Sequence, residues 1–360
     1  MEQNKANAEL LAHFVLPAFY AENGIVTIAN QASQTLLITP GTKIADLIVA
    51  GREEYEEFRS GCLYLTMQIQ DQLYSAAVTA EDGAHLFITQ NIADDSSLQA
   101  YSLAAKELRS PLAGIMLATQ RLFDKLPESG DPQMQQQAAY INQNLYRMLR
   151  IVSNMSDAGR FANSLDVHME HANVSAVLQE LLEKIQCTCA ESGMIFRFTC
   201  PEEPIYGPID REKLERGVYN LVSNALKFAE KPSCAEVSVS QKANRLYITV
   251  KDNGKGIPAA IRNTMYQRYR RSPGIEDANQ GIGLGMVLAK SAASIHGGAL
   301  LMEVSPDQGA KITMTISLAS KELGLRSPIM RIDYTGEHNH CLVELSDCLE
   351  CSQYAPEKLK

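Results

Sequence analysis

The sequence lacks any apolar run of about 20 residues, the length that a helix needs to cross a bilayer. Its first residues, 1–5, show no basic stretch followed by an apolar block, so no secretory signal is expected. These two absences predict a cytoplasmic protein. Positive charge is also scarce, since the 33 basic residues are outnumbered by 42 acidic ones and the net charge is −9. That balance argues against a broad surface for nucleic acid.

Disulfide-scaffold spacing is missing too, although the chain has eight cysteines, so free thiols are expected. Near the C-terminus, a Cys-x-x-Cys pair follows a cluster of His and Cys residues, and a zinc site is one interpretation of this group. The alternative is an amphipathic tail over residues 320–360 that docks on its own domain or on a partner. The residues of the two interpretations are His338, His340, Cys341, Cys348 and Cys351 for zinc, and Leu342, Leu345 and Leu349 for the tail.

What is present is the composition of an ordinary globular protein with 360 residues, enough for two or three domains. Residues 1–95 alternate short β-rich runs with turn signals. A strand over 25–28 follows the turn pair Asn23-Gly24, a short helix is expected over 30–37, and strands are expected over 63–69, 73–78 and 85–89. This order resembles a PAS sensor domain. Another small α+β domain used for dimerisation is the alternative.

Residues 96–160 carry two apolar stripes in which the residues step by three and four, the pattern of paired helices. A short loop around Pro127–Pro132 separates them, so an antiparallel hairpin is predicted. Pairing two hairpins would bury both stripes in a four-helix bundle, which predicts a homodimer; docking of the hairpin on its own neighbouring domain is the alternative. Pro111 predicts a kink near Glu107. The stripes are Leu98, Tyr101, Ala105, Leu108, Leu112, Ile115, Thr119 and Leu122, then Met134, Ala138, Ile141, Leu145, Met148, Val152 and Met155.

Residues 161–319 mix helices and strands in the manner of an α/β sandwich, with helices over 174–189, 210–229 and 285–296. The predicted fold class is therefore α+β and multidomain. The helix over 210–229 places Asn220, Asn224 and Lys227 on one face. Amide oxygens are suitable ligands for Mg²⁺, and lysine offers a charge for phosphate.

Two glycine-containing segments follow that helix. Asp252 comes directly after an apolar strand and before Gly254 and Gly256, where a carboxylate could accept a hydrogen bond from an adenine amino group. A tight polar turn is the simpler alternative. The second segment leads into an apolar helix, and free N–H groups at such a helix start bind anions. It consists of Gly281, Gly283, Leu284 and Gly285.

Taken together, these three segments closely resemble the N, G1 and G2 boxes of sensor histidine kinases, in the GHKL ATPase superfamily. The resemblance covers about residues 98–318. It implies a Bergerat-type ATP fold with Asp252 on adenine, Asn224 on Mg²⁺, and Asn220 and Lys227 near the phosphates. It also implies a lid over 261–280, in which Arg262, Arg268, Arg270 and Arg271 could contact phosphate and Tyr266 and Tyr269 replace the usual phenylalanines.

The segment Lys106-Glu-Leu-Arg-Ser-Pro-Leu112 resembles the family's phosphoacceptor motif, but lysine stands where the family has its histidine. A neutral imidazole is a nucleophile near pH 7, whereas a lysine amine is almost entirely protonated. Four interpretations stay open: a degenerate kinase that binds ATP and signals by conformation, a kinase for another residue or protein, a response-regulator phosphatase that uses Glu107 and Ser110, and a non-enzymatic scaffold.

Overall fold

The computed structural model of the chain describes residues 2–81, 83–92, 96–124, 131–162, 167–256, 284–304, 309–319 and 338–359. The predicted lid and two G2 glycines, Gly281 and Gly283, lie outside these residues. Among the described helices, none is both long enough and apolar enough to cross a membrane.

The N-terminal region is an antiparallel sheet with helices at its connections. Asn30 begins the short helix as expected, because its Oδ1 accepts from the backbone N–H of Ser33 at 2.9 Å. The same oxygen accepts from the N–H of Ala18 at 3.1 Å and so fixes the helix to the first strand. The elements are α1 Glu2–Ala12, β1 Ala18–Glu22, β2 Ile25–Ala29, α2 Gln31–Thr35, β3 Ile48–Ala50, α3 Arg52–Glu57, β4 Cys62–Ile69, β5 Gln72–Glu81 and β6 Ala84–Asn91, with sheet order β2-β1-β6-β5-β4 and β3 paired with β4.

Two long helices form the predicted hairpin, α4 Ser96–Phe123 and α5 Pro132–Ala162. Helical structure continues through Pro111. Most of the stripe residues whose burial is described fall into two sets. The buried set belongs to the apolar core that the hairpin shares with the α/β sandwich described below: Ala105, Leu112, Ala138, Leu145, Val152 and Met155. The exposed set is Leu108, Ile115, Leu122, Met134, Ile141 and Met148.

The described residues between 167 and 319 form the α/β sandwich that the sequence predicted. β8 and β10 run parallel and the other neighbours antiparallel, so the sheet is mixed, with order β12-β13-β11-β10-β8. Three helices pack on it and share one apolar core with the hairpin. The elements are β7 Glu170–Asn173, α6 Val174–Glu191, β8 Ile195–Thr199, β9 Tyr206–Ile209, α7 Arg211–Phe228, β10 Cys234–Lys242, β11 Arg245–Asp252, α8 Gly285–Ile295, β12 Leu300–Val304 and β13 Ala310–Ser317.

The N-terminal sheet and the sheet of the sandwich are joined into one continuous sheet. The sequence did not predict this connection. Strand β4 pairs antiparallel with β12, with Tyr64 opposite Leu300 and Cys62 opposite Met302. Side chains support the junction: Thr315 Oγ1 donates to Glu54 Oε1 at 2.6 Å, and Glu54 is buried. The N-terminal region therefore contacts the α/β sandwich directly.

The described C-terminal segment, residues 338–359, contains a short helix, α9 His340–Glu344, followed by two single turns of 3₁₀ helix. Its apolar residues are buried against α5, α6 and α7. The described part of the tail is therefore docked on its own chain, as the amphipathic-tail interpretation of the sequence allowed. In the described part of the chain, no group of three or more His, Cys, Asp or Glu side chains could hold a metal ion.

Candidate nucleotide-binding site

Helix α7 carries the N-box residues. Asp210 caps it by accepting from the N–H of Lys213 at 3.2 Å. Asn220 is fully buried, and its Nδ2 donates to the carbonyl of Arg216 at 2.9 Å. Its Oδ1 has no hydrogen-bond partner among the described residues. An unpaired buried acceptor is costly, so this oxygen is available to a group that the chain itself does not supply. Asn224 lies one turn further along the helix and is half-buried.

The G2 segment approaches the same side chain. Helix α8 begins at Gly285 after Leu284, and a Cβ on Gly285 would lie 2.8 Å from Asn220 Oδ1. Any larger residue at 285 would therefore displace the asparagine. The N-terminus of α8, where the first N–H groups of a helix have no partner within the helix, thus lies beside Asn220 of the N box.

Asp252 ends strand β11 and is only 8% exposed. Its Oδ1 accepts from the N–H of Gly254 at 2.8 Å and from the N–H of Ala310 at 3.0 Å. No described residue donates to Oδ2. Burial raises the pKa of the Asp252 carboxyl, and the two backbone hydrogen bonds oppose that shift. Backbone hydrogen bonds thus hold Asp252 Oδ1 in place, and Asp252 Oδ2 remains available as an acceptor.

Glycines make room around this carboxylate. A Cβ on Gly254 would clash with the carbonyl oxygen of Phe228, at the end of the N-box helix. Gly256 has φ +74°, the left-handed region that favours glycine. Gly309, with φ +78°, lies against the backbone of Asp252, where a Cβ would clash with the carbonyl oxygen. Gly309 could not be singled out from the sequence, because a lone glycine before a strand carries no distinctive signal.

Lys227, the third N-box residue, does not point to open solvent. Its side chain is 11% exposed, and its Nζ lies 3.7 Å from Asp347 Oδ2 in the C-terminal segment. Burial lowers the pKa of Lys227, while the Asp347 charge acts in the opposite direction. Asp347 was not identified from the sequence, since it is 120 residues away along the chain.

The phosphoacceptor-like segment lies on α4. Lys106, Glu107 and Ser110 are all exposed there. Glu107 makes no ion pair or hydrogen bond with any described residue, so the structure does not bring it into contact with the N box. This region is accessible to a protein partner.

Comparison with known proteins agrees with this arrangement. Residues 209–320 match the family model described as "Histidine kinase-, DNA gyrase B-, and HSP90-like ATPase". Residues 102–163 match "His Kinase A (phospho-acceptor) domain", and they contain no histidine. Lys106 is therefore not compensated by a histidine elsewhere in that matched segment.

Similar proteins include hybrid signal transduction histidine kinase D of Dictyostelium discoideum, 27% identical over 232 residues, which cover 62% of this chain and 15% of that protein. Sensor histidine kinase TmoS of Ectopseudomonas mendocina is 26% identical over 233 residues, covering 64% and 24%. The chain thus spans a minor part of both relatives. Among solved structures, full-length ShkA in complex with AMPPNP is 19% identical, with a TM-score of 0.49, covering 62% of this chain and 47% of that one.

Proposed function

Since the chain belongs to the histidine kinase family of GHKL ATPases, we propose that it is a degenerate sensor kinase. It binds Mg-ATP and signals by conformation, without autophosphorylating at the usual position. The observation that carries the ATP site is the buried, unsatisfied acceptor Asn220 Oδ1 beside Gly285, together with Asp252, which receives its two backbone hydrogen bonds at Oδ1 alone.

The residues fit the nucleotide as follows. Asp252 Oδ2 accepts from the adenine amino group, with Gly254 and Gly256 allowing close approach. Asn220 and Asn224 face the Mg-phosphate end together with Lys227, and Asn224 supplies an oxygen to Mg²⁺. The glycine-rich segment Gly281–Gly285 offers backbone N–H groups to phosphate. Mg²⁺ neutralises phosphate charge when bound.

Lys106 supports the degenerate interpretation because the matched phosphoacceptor segment contains no histidine. Each of two alternative functions is favoured by a specific observation. A kinase that phosphorylates another residue or protein needs an intact ATP site, which the acceptor geometry favours. A phosphatase for a response regulator needs accessible groups on α4, and Glu107 and Ser110 are exposed.

Mg-ATP binding and phosphoryl transfer test these proposals separately. Calorimetry on the full chain is expected to show binding that Asn224→Ala weakens about tenfold or more, because an Mg²⁺ ligand is lost. Radiolabelled ATP is expected to leave no stable label on the wild type. Stable label that survives Lys106→Ala and disappears in Asn224→Ala would instead establish a kinase with another acceptor. Absence of any Mg-ATP binding would end both ATP-dependent proposals.

A homodimer through the hairpin is the second part of the proposal. The exposed set on α4 and α5 provides apolar side chains that the described residues leave exposed, and a second copy would complete the four-helix bundle. A response regulator or related kinase is the proposed partner at the exposed Lys106 region.

The N-terminal region is the proposed sensor. Its sheet order β2-β1-β6-β5-β4 supports a PAS-like domain.

A charge introduced into that apolar face should separate the copies. Ile115→Glu is expected to shift the chain from dimer to monomer in sedimentation equilibrium, since it places a carboxylate at the bundle seam. Gln120→Glu, which adds the same single negative charge at an exposed position of the same helix, serves as the control for added charge. A wild type that sediments as a monomer, or an Ile115→Glu protein that remains dimeric, would contradict this interface.

A further inference from the structure

The C-terminal segment, residues 338–359, lies between the hairpin and the ATP region. Its backbone carbonyls accept hydrogen bonds from side chains of α5: Gln143 donates to Leu349 at 2.8 Å and Asn142 to Tyr354 at 3.0 Å. Leu345, Leu349 and Tyr354 are buried. The segment is therefore docked through specific polar contacts as well as apolar ones.

A buried acid in this segment links two structural units. Glu344 is fully buried, and its Oε1 lies 2.9 Å from Arg216 Nη1 of α7. Its Oε2 lies 3.5 Å from Arg150 Nε of α5. Arg216 also contacts α5 directly, through Asp157 at 2.7 Å. Charges this deeply buried are tolerated only when they are paired, so removing the segment would leave two arginines with less compensation.

A second acid reaches the N box. Asp347 Oδ2 lies 2.9 Å from Arg150 Nη1 and 3.7 Å from Lys227 Nζ. Lys227 is the cation that the proposed function assigns to the nucleotide phosphates. The carboxylate of Asp347 therefore occupies, beside this lysine, the electrostatic position that a phosphate would take.

From this arrangement we infer that the C-terminal segment is an intramolecular clamp: it ties α5 to the ATP region, and its Asp347 competes with nucleotide phosphate for Lys227. The inference rests on the proposed ATP site. Because such coupling is reciprocal, nucleotide binding loosens the segment to the same degree that the segment weakens nucleotide binding. The ATP region is then released from α5 when nucleotide is bound.

Calorimetry of the full chain with Mg-ATP tests the competition. Asp347→Asn keeps the size of the side chain and removes its charge, so binding is expected to tighten about threefold to tenfold. Glu357→Gln is the matched control: it changes net charge equally, in the same segment, at an exposed position with no ion pair among the described residues. Its affinity is expected to equal that of the wild type.

Amide hydrogen exchange gives an independent readout of clamp release. In the wild type, Mg-ATP is expected to speed exchange in residues 340–349, and Asp347→Asn is expected to speed it without nucleotide. Equal affinities for wild type and Asp347→Asn, with unchanged exchange, would overturn the clamp and leave the ATP site standing. Binding by neither protein would overturn both. Binding by Asp347→Asn alone would support both.

Discussion

Replacing Asp252 with asparagine is expected to weaken Mg-ATP binding about a hundredfold while preserving the fold, because a charged hydrogen bond to the base becomes a repulsive contact. An asparagine Oδ1 can still accept from the N–H groups of Gly254 and Ala310, which hold the side chain in place. Its Nδ2 is a donor, however, and would face the donor at C6 of adenine.

The base specificity of the variant sharpens this test. Inosine triphosphate carries an oxygen acceptor where adenine carries its amino group, so the Asp252→Asn protein is expected to lose the preference of the wild type for ATP over inosine triphosphate. Calorimetric titrations with both nucleotides measure the preference directly. Equal loss of affinity for both nucleotides would indicate disruption of the pocket, and an unchanged affinity for ATP would remove Asp252 from base recognition.

Folding stability provides the control. Burial raises the pKa of Asp252 above its unfolded value, so its contribution to stability is fully present below the unfolded pKa. This contribution is lost as the pH rises through the folded pKa. Asparagine does not titrate. Urea unfolding across that range is therefore expected to show the variant gaining free energy of unfolding relative to the wild type as the pH rises.

The local structure around the candidate ATP-site residues could largely be predicted from the sequence, because each box is a short segment whose residues stay neighbours in the fold. Helical spacing alone places Asn220 and Asn224 on one face, and a strand end followed by glycine positions Asp252. The contact between Asn220 and Gly285 came from the structure, since the sequence shows the two boxes only as separate segments. The roles of Gly281 and Gly283 and the lid lie outside the described residues and stay predictions.

The contacts that the sequence could not supply all join distant segments. Pairing of β4 with β12 depends on register between strands more than 200 residues apart, and apolar alternation does not choose a neighbour. The ion pairs of Glu344 and Asp347 are equally non-local, since surface acids look alike in sequence whether they are paired or solvated. Periodicity identified the stripes on α4 and α5 but could not tell which half of them the chain itself would cover.

Restoring histidine at position 106 is the change with the largest expected effect on chemistry. Lys106→His is expected to convert a chain without stable label into one that accepts the γ-phosphoryl group from ATP, because an imidazole nucleophile then stands at the acceptor position. Position 106 is exposed on α4, so the substitution should cost little stability. The label should be acid-labile and alkali-stable, the behaviour of a phosphoramidate.

Two further variants decide what limits the reaction. Lys106→His with Asn224→Ala should carry no label, since the acceptor is present without the Mg²⁺ ligand. Lys106→His with Asp347→Asn should label faster than Lys106→His alone, because loosening the clamp frees both Lys227 and the ATP region. If Lys106→His binds Mg-ATP and still takes no label in either Asp347 background, then the missing acceptor is not what silences the chain. The loss of autophosphorylation would then also be attributed to a failure of the ATP region to reach position 106 on the hairpin.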